Sequence, residues 1–304
     1  MNKYKILLLL IAASLSACQS TALETEPASN LPKVIAMESF LADIAQNVAG
    51  ERLDVASLIP LGVDLHAFEP TPQDVAKIEE SPVLILNGCG LEEWFNDLLP
   101  SLSSGKMIIE ACEGITPRQS TNTHHDEHEI DPHFWLDPDL VIHYVENIRD
   151  GFMLFDPGGA EQYGNSASQY IQTLQELDAW ISAQVEQIPI EQRLLVTNHE
   201  NFGYFADRYG FQVVGAIIPS VTTGATPTAQ ELAQLIEVIH QLKVKAIFLE
   251  LGANPQLAEQ IANETDVKVI SGLYSHSLSS EEGSAPTYLE MMRYNVLQIV
   301  DALK

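Results

Sequence analysis

AEQYGNSASQYIQTLQELDAWISAQVEQ, residues 160–187, is the stretch on which the fold turns. Tyr163, Ala167, Tyr170, Leu174, Leu177, Ile181 and Val185 recur every three or four residues and form one apolar stripe, the spacing of a helix with one buried face. At about 1.5 Å per residue the helix would run roughly 42 Å, enough to span a pair of domains. Asp156-Pro157-Gly158-Gly159 leads into it and Ile188-Pro189 stops it. The segment 158–188 is therefore read as one long helix linking what lies on either side.

On the amino-terminal side, strands and helices alternate. Strands are expected at 34–36, 53–59, 83–86 and 107–109, with helices at 38–48, from 72 onward and at 91–99. Thr71-Pro72-Gln73-Asp74 is a helix start: Thr71 can cap, Pro72 suits the first position, and Asp74 favours the positive end of the helix dipole. Residues 117–132 break the alternation with a polar loop, and Asp137-Pro138 opens a helix to about residue 154. On the carboxy-terminal side the same grammar returns. Strands are expected at 194–197, 212–218, 246–249 and 267–270, and helices at 202–209, 229–242, 255–263 and 286–303. Thr228-Ala229-Gln230-Glu231 is a capping box. Such alternation implies parallel sheets flanked by helices. The fold class is α/β, with two pseudo-symmetric lobes, 31–157 and 189–304, joined by the long helix.

The chain of 304 residues carries 15 basic against 42 acidic side chains, a net charge of −27. That surface repels phosphate backbones and anionic headgroups and excludes nucleic acid as a partner. The amino terminus is basic and then apolar: Lys3 and Lys5 precede the apolar run 6–13 and the ending Leu15-Ser16-Ala17-Cys18. It reads as a secretory signal, residues 1–18, and not as a spanning helix. The ending resembles a bacterial lipobox, in which Cys18 would be lipidated and become the first residue. Residues 19–30, polar and nearly free of apolar side chains, read as a flexible tether. The expected location is outside the cytoplasm, in a periplasm or at a cell surface, with the bilayer touched only through the lipid anchor and the protein a monomer. Cys89 and Cys112 remain. Export permits a disulfide between them, two buried free thiols are also compatible, and spacing alone does not fix the bridge.

Nine histidines divide into groups. His143 and His240 fall inside expected helices and read as structural or surface residues. His124, His125 and His128 lie among acids in the loop 117–132, either as a low-affinity metal-collecting segment or as a solvated polar loop. His66, His133, His199 and His276 each follow an expected strand, two in each lobe. Ligands of open α/β sheets bind outside the carboxyl ends of the strands. If the lobes face each other, the four converge, and four imidazoles match the tetrahedral preference of zinc. Glu200, beside His199, and Glu250, at a strand end, are candidates to orient a histidine by a hydrogen bond; an ordinary strand-end carboxylate is the alternative for Glu250.

Four ordered stretches carry a resemblance: Gly62-Val63-Asp64-Leu65-His66-Ala67-Phe68-Glu69-Pro70, Asp131-Pro132-His133-Phe134-Trp135-Leu136-Asp137-Pro138, Asn198-His199-Glu200-Asn201-Phe202-Gly203-Tyr204-Phe205 and Leu273-Tyr274-Ser275-His276-Ser277. Together with Asn87-Gly88 and Leu91-Glu92, they resemble the metal-site signatures of the zinc and manganese substrate-binding proteins of ABC importers, the cluster A-I metal-binding family. The resemblance runs over residues 32–304. It implies two lobes bridged by a rigid helix, metal between them, and delivery to an ABC permease in the cytoplasmic membrane. His66, His133 and His199 fall on the family's ligand positions. Where manganese-binding relatives often carry Glu, this chain has His199. At the fourth position the family usually has Asp and this chain has His276, leaving that place to His276 or to water. Nitrogen in place of oxygen shifts the choice toward Zn2+, with Mn2+ or iron as the alternative cargo. A second role as a metal-dependent adhesin is suggested for some relatives. The rival class is a zinc hydrolase, which needs an open coordination position and a nearby base; no His-Glu-x-x-His pattern is present. A binding protein and not an enzyme is expected, one that releases its ion when docking disturbs the site and whose affinity falls as protons compete for the imidazoles.

Overall fold

The computed structural model describes residues 31–119 and 130–304. The expected signal, the tether, Cys18 and the loop histidines His124, His125 and His128 lie outside the described residues. Among those residues no helix is long and apolar enough to cross a membrane.

The first half contains strands β1 (Lys33–Ala36), β2 (Asp54–Ser57), β3 (Val83–Leu86) and β4 (Met107–Glu110), with helices α1 (Ser39–Ala49), α2 (Pro72–Glu80), α3 (Glu93–Leu98) and α4 (Pro138–Phe155). Helix α5 (Ala160–Val185) leads to the second half. There lie β5 (Leu194–His199), β6 (Gln212–Ile218), β7 (Ala246–Glu250) and β8 (Lys268–Leu273), with α6 (Gly203–Tyr209), α7 (Ala229–Leu242), α8 (Gln256–Thr265) and α9 (Tyr288–Leu303). The sheets run β2-β1-β3-β4 and β6-β5-β7-β8, and every pairing is parallel. The two halves thus repeat one strand order. The inner strands β3 and β7 are buried along their whole length. Helices on both faces of a parallel sheet leave such strands no contact with water, so they read as apolar runs, broken only by Glu250 at the end of β7.

Local chemistry sets the helix ends where the sequence indicated. Both capping boxes form: Thr71 with Asp74 at α2 and Thr228 with Glu231 at α7. Helix α9 starts later than the apolar pattern suggested, because the Thr287 hydroxyl accepts from Glu290 N and caps there. Helix α5 buries the seven residues of the apolar stripe, Tyr163 through Val185. It is shorter than the segment 158–188, since Pro157–Gly159 forms a separate 3-10 turn before it. It packs on α1, α4 and α9, so it joins the main core and is not a bare strut. Full burial of an aliphatic side chain such as Leu174 or Ile181 stabilises by about 1.5–3 kcal/mol. That core is continuous, taking in Phe40 and Trp135 of the first half as well as Phe205 and Met291 of the second.

Cys89 and Cys112 are bonded to each other. Of the two readings open to the sequence, the bridge is the one realised. Parallel pairing of β3 with β4 brings the residues beyond both strand ends together.

Candidate metal centre

The candidate histidines lie at or beyond the carboxyl ends of strands. His66 is the middle residue of a 3-10 turn, Leu65–Ala67, in the connection after β2. His133 immediately precedes a second 3-10 turn, Phe134–Leu136. His199 is the last residue of β5, and His276 follows β8. The first two share a local device. Asp64 Oδ1 accepts from the His66 backbone N at 3.0 Å, and Asp131 Oδ1 accepts from His133 N at 3.0 Å. An Asp two residues ahead closes a small side-chain turn and fixes where the following ring starts.

Contacts across the two halves lock these turns. Asp64 Oδ2 accepts from the Thr223 hydroxyl at 2.6 Å, and Gly62 N donates to Ser277 Oγ at 2.8 Å. The fully buried Trp135 stacks on Phe40 with ring centroids 4.4 Å apart and donates to Ser275 O at 2.7 Å. Tyr288 donates its hydroxyl to Trp135 O at 2.7 Å.

The rings are oriented by two carboxylates. His133 Nδ1 lies 2.8 Å from Asp131 Oδ1. Glu250, the last residue of β7, serves two rings: its Oε1 is 2.5 Å from His199 Nδ1 and its Oε2 is 2.9 Å from His276 Nδ1. Glu250 also accepts from Asn198 Nδ2 at 3.2 Å and from Ser275 Oγ at 2.5 Å. An ionised carboxylate only accepts, so with Glu250 and Asp131 ionised the Nδ1 of all three rings carries the proton and Nε2 carries a lone pair. Those lone pairs face one another. His133 Nε2 is 3.3 Å from both His199 Nε2 and His276 Nε2. His66 Nε2 is buried with no hydrogen-bond partner. One ligand atom from each of the four rings lies within 4.8 Å of all the others.

Electrostatics favour neutral His66 and His133 and an ionised Glu250. His133 and His199 are wholly shielded from solvent. Burial, then the neighbouring rings, holds His66 and His133 well below the usual histidine range. For Glu250, burial pushes upward, but the His199 and His276 rings outweigh it and hold the carboxyl well below the usual range. Burial raises Asp131 to about 7. His276 lines a cavity of about 350 Å³ and His66 lines another of about 500 Å³, so the shielded cluster has open space on two sides.

The structure brings His66, His133, His199 and His276 together. The histidine bonds of the second half go to Glu250, while Glu200 lines a separate cavity with Asp131 and Arg118. Asp131, Ser275 and Asn198 were not singled out from the sequence as parts of the site. Asp131 had a local signal, the Asp-x-His spacing that recurs at Asp64 and His66. Ser275 and Asn198 had only their adjacency to histidines.

Residues 34–302 match the profile of the family described as zinc-uptake complex component A, periplasmic. The chain is 32% identical over 300 residues to the manganese-binding lipoprotein MntA of Halalkalibacterium halodurans, covering 99% of this chain and 98% of that protein. Among solved structures it is similar to the manganese-bound periplasmic metal binding protein of Candidatus Liberibacter asiaticus, with a TM-score of 0.80 and 30% identity over 90% of this chain and 99% of that one. It is also similar to the periplasmic zinc binding protein TroA of Treponema pallidum, with a TM-score of 0.80 and 28% identity over the same shares, 90% and 99%.

Proposed function

The chain belongs to the zinc-uptake complex component A family, metal-binding proteins of the substrate-binding class that serve ABC importers, and from that premise we propose that it captures zinc outside the cytoplasm and passes it to a permease. The observation that carries the choice of zinc is the convergence of three bare Nε2 lone pairs, two of the separations being 3.3 Å. Lone pairs at that distance repel, and a cation among them turns the repulsion into bonding. Zinc–nitrogen bonds of about 2.0–2.1 Å in a tetrahedron place nitrogens about 3.3–3.4 Å apart. Four histidines offer nitrogen alone, with Asp131 and Glu250 behind the rings and engaged at Nδ1. Two carboxylates one imidazole away balance the charge of a dication.

His66, His133, His199 and His276 are the ligands in this reading, and His276 takes the fourth place itself because Glu250 turns its Nε2 inward. Four imidazoles close the shell that a zinc hydrolase keeps open for water. Capture joins ligands from both halves, and docking on the permease would release the ion by separating them. Lipidation at Cys18 would hold the protein at the membrane. Purified protein titrated with zinc and manganese in competition tests the proposal: zinc is expected to displace manganese at equimolar ratio, and retention of manganese under excess zinc would sink it. A manganese reading is favoured by the names of the relatives; against it stands the nitrogen-only donor set, because manganese suits oxygen-rich sites of higher coordination.

A further inference from the structure

Asp131 uses only one of its oxygens on His133. Oδ1 accepts from both the backbone N and Nδ1 of that residue. Oδ2 points the other way, toward Arg118 Nη1 at 3.8 Å. Arg118 is held beside Asp131 by the main chain: Asp131 N donates to Arg118 O at 3.0 Å, and Gln119 pairs with Ile130 in an antiparallel bridge.

The same guanidinium reaches the second half. Arg118 Nε donates to Asp207 Oδ2 at 2.7 Å. Asp207 belongs to α6, the helix that follows His199. Tyr204 of that helix accepts from Arg118 N at 2.8 Å and donates to Asp131 O at 2.8 Å. Close approach requires a glycine on the helix. A Cβ on Gly203 would come within 2.1 Å of Arg118 Nη1 and 2.6 Å of Asp131 Oδ2. The guanidinium therefore lies between the carboxylate behind His133 and the helix behind His199.

We propose that Arg118 is a positioning residue for the metal centre, holding the Asp131 carboxylate against His133 and in register with α6, so that the His133 and His199 nitrogens keep their separation. The inference rests on His133 being a ligand, as proposed above. An arginine suits this place because its planar fork stays charged and offers donors in two directions at once. Residues that orient a metal-binding histidine through a carboxylate act on how tightly and how long the metal is held.

The test has one arm without metal and one with it. In metal-free, nitrogen-15-labelled protein, the His133 Nδ1–H resonance reports the bond to Asp131. Arg118→Gln is expected to speed exchange of that proton with water by about tenfold, and Arg118→Lys to restore it. Wild-type exchange in Arg118→Gln overturns the proposal, as does equal damage in both variants accompanied by the same loss of melting temperature. Should Arg118→Gln fail to fold, Asp207→Asn severs the same link at an exposed residue, and wild-type exchange there overturns the proposal. In the second arm, zinc release to a chromophoric chelator is expected to be about tenfold faster in Arg118→Gln. Tighter zinc binding in that variant would show only a repelling charge removed and would also overturn it. A wild-type chain that binds neither zinc nor manganese would defeat the functional reading, while the metal-free arm would still decide the role of Arg118.

Discussion

His133 stands where the other rings meet, its Nε2 3.3 Å from those of both His199 and His276. Removing it takes away the central donor and leaves Asp131 buried without its histidine. Removing His276 takes a peripheral donor and leaves Glu250 still bonded to His199. His133→Ala is therefore expected to weaken zinc binding by about a hundredfold and His276→Ala by about tenfold, each factor of ten being about 1.4 kcal/mol. Chelator competition measures both, and unchanged affinity in His276→Ala would remove it from the ligand set. The burial that shields His66 and His133 also sets the pH response. A depressed pKa means that at these two rings protons compete with metal only below the ordinary histidine range, so affinity should outlast the upper part of that range and fall beneath it. A loss already complete between pH 7.5 and 6.5 would contradict that order.

Among the elements, the starts of α1 and α3 carry an unusual pair. Glu38, just before α1, and Glu92, just before α3, are both buried. Glu92 accepts from Asn87 N at 2.6 Å and Gly88 N at 3.0 Å. Asn87 accepts from the Tyr144 hydroxyl and donates to Pro132 O at 3.2 Å, next to His133. Burial, then the Glu92 charge, pushes Glu38 well above the usual range, and burial raises Glu92 to about 7. The folded state thus binds a proton more readily than the unfolded chain, whose glutamates titrate near about 4.3. By linkage this contribution to stability is intact below the unfolded value and is lost as pH rises through about 7. Glu38→Gln should therefore raise the melting temperature more at pH 8 than at pH 5, by about 2–4 °C for each kcal/mol gained. Equal shifts at the two pH values would show that the pair does not titrate there. The helix start at Thr71 and the capping box at α7 were legible in the sequence because each lies within four residues. The Glu38–Glu92 contact was not, since it depends on where two helices begin relative to one sheet.

The candidate ligands come from both halves of the molecule, two from each, so metal binding should stabilise the fold as a whole. A ligand at a hundredfold excess over its dissociation constant adds about 2.7 kcal/mol. For a chain of this size that is roughly a 5–10 °C rise in melting temperature. Zinc is expected to give this rise, manganese a smaller one, and the His133→Ala variant little with either. A larger shift with manganese would reverse the assignment of cargo.

Much of this architecture follows from short-range pattern. The alternating strands and helices, the seven-residue stripe of α5 and the four histidines beyond strand ends depend on periodicity, caps and position along one element, and these act between near neighbours in sequence. Tertiary structure alone decided the rest. Cys89 and Cys112 meet because β3 and β4 are adjacent and parallel. Glu250 serves His199 and His276 because β7 lies between β5 and β8. One carboxylate then sets the proton positions of two rings far apart in the chain and so turns two lone pairs toward His133. Whether four histidines stay apart or gather into one cluster is a question of strand order and register, and those come from packing of the whole molecule.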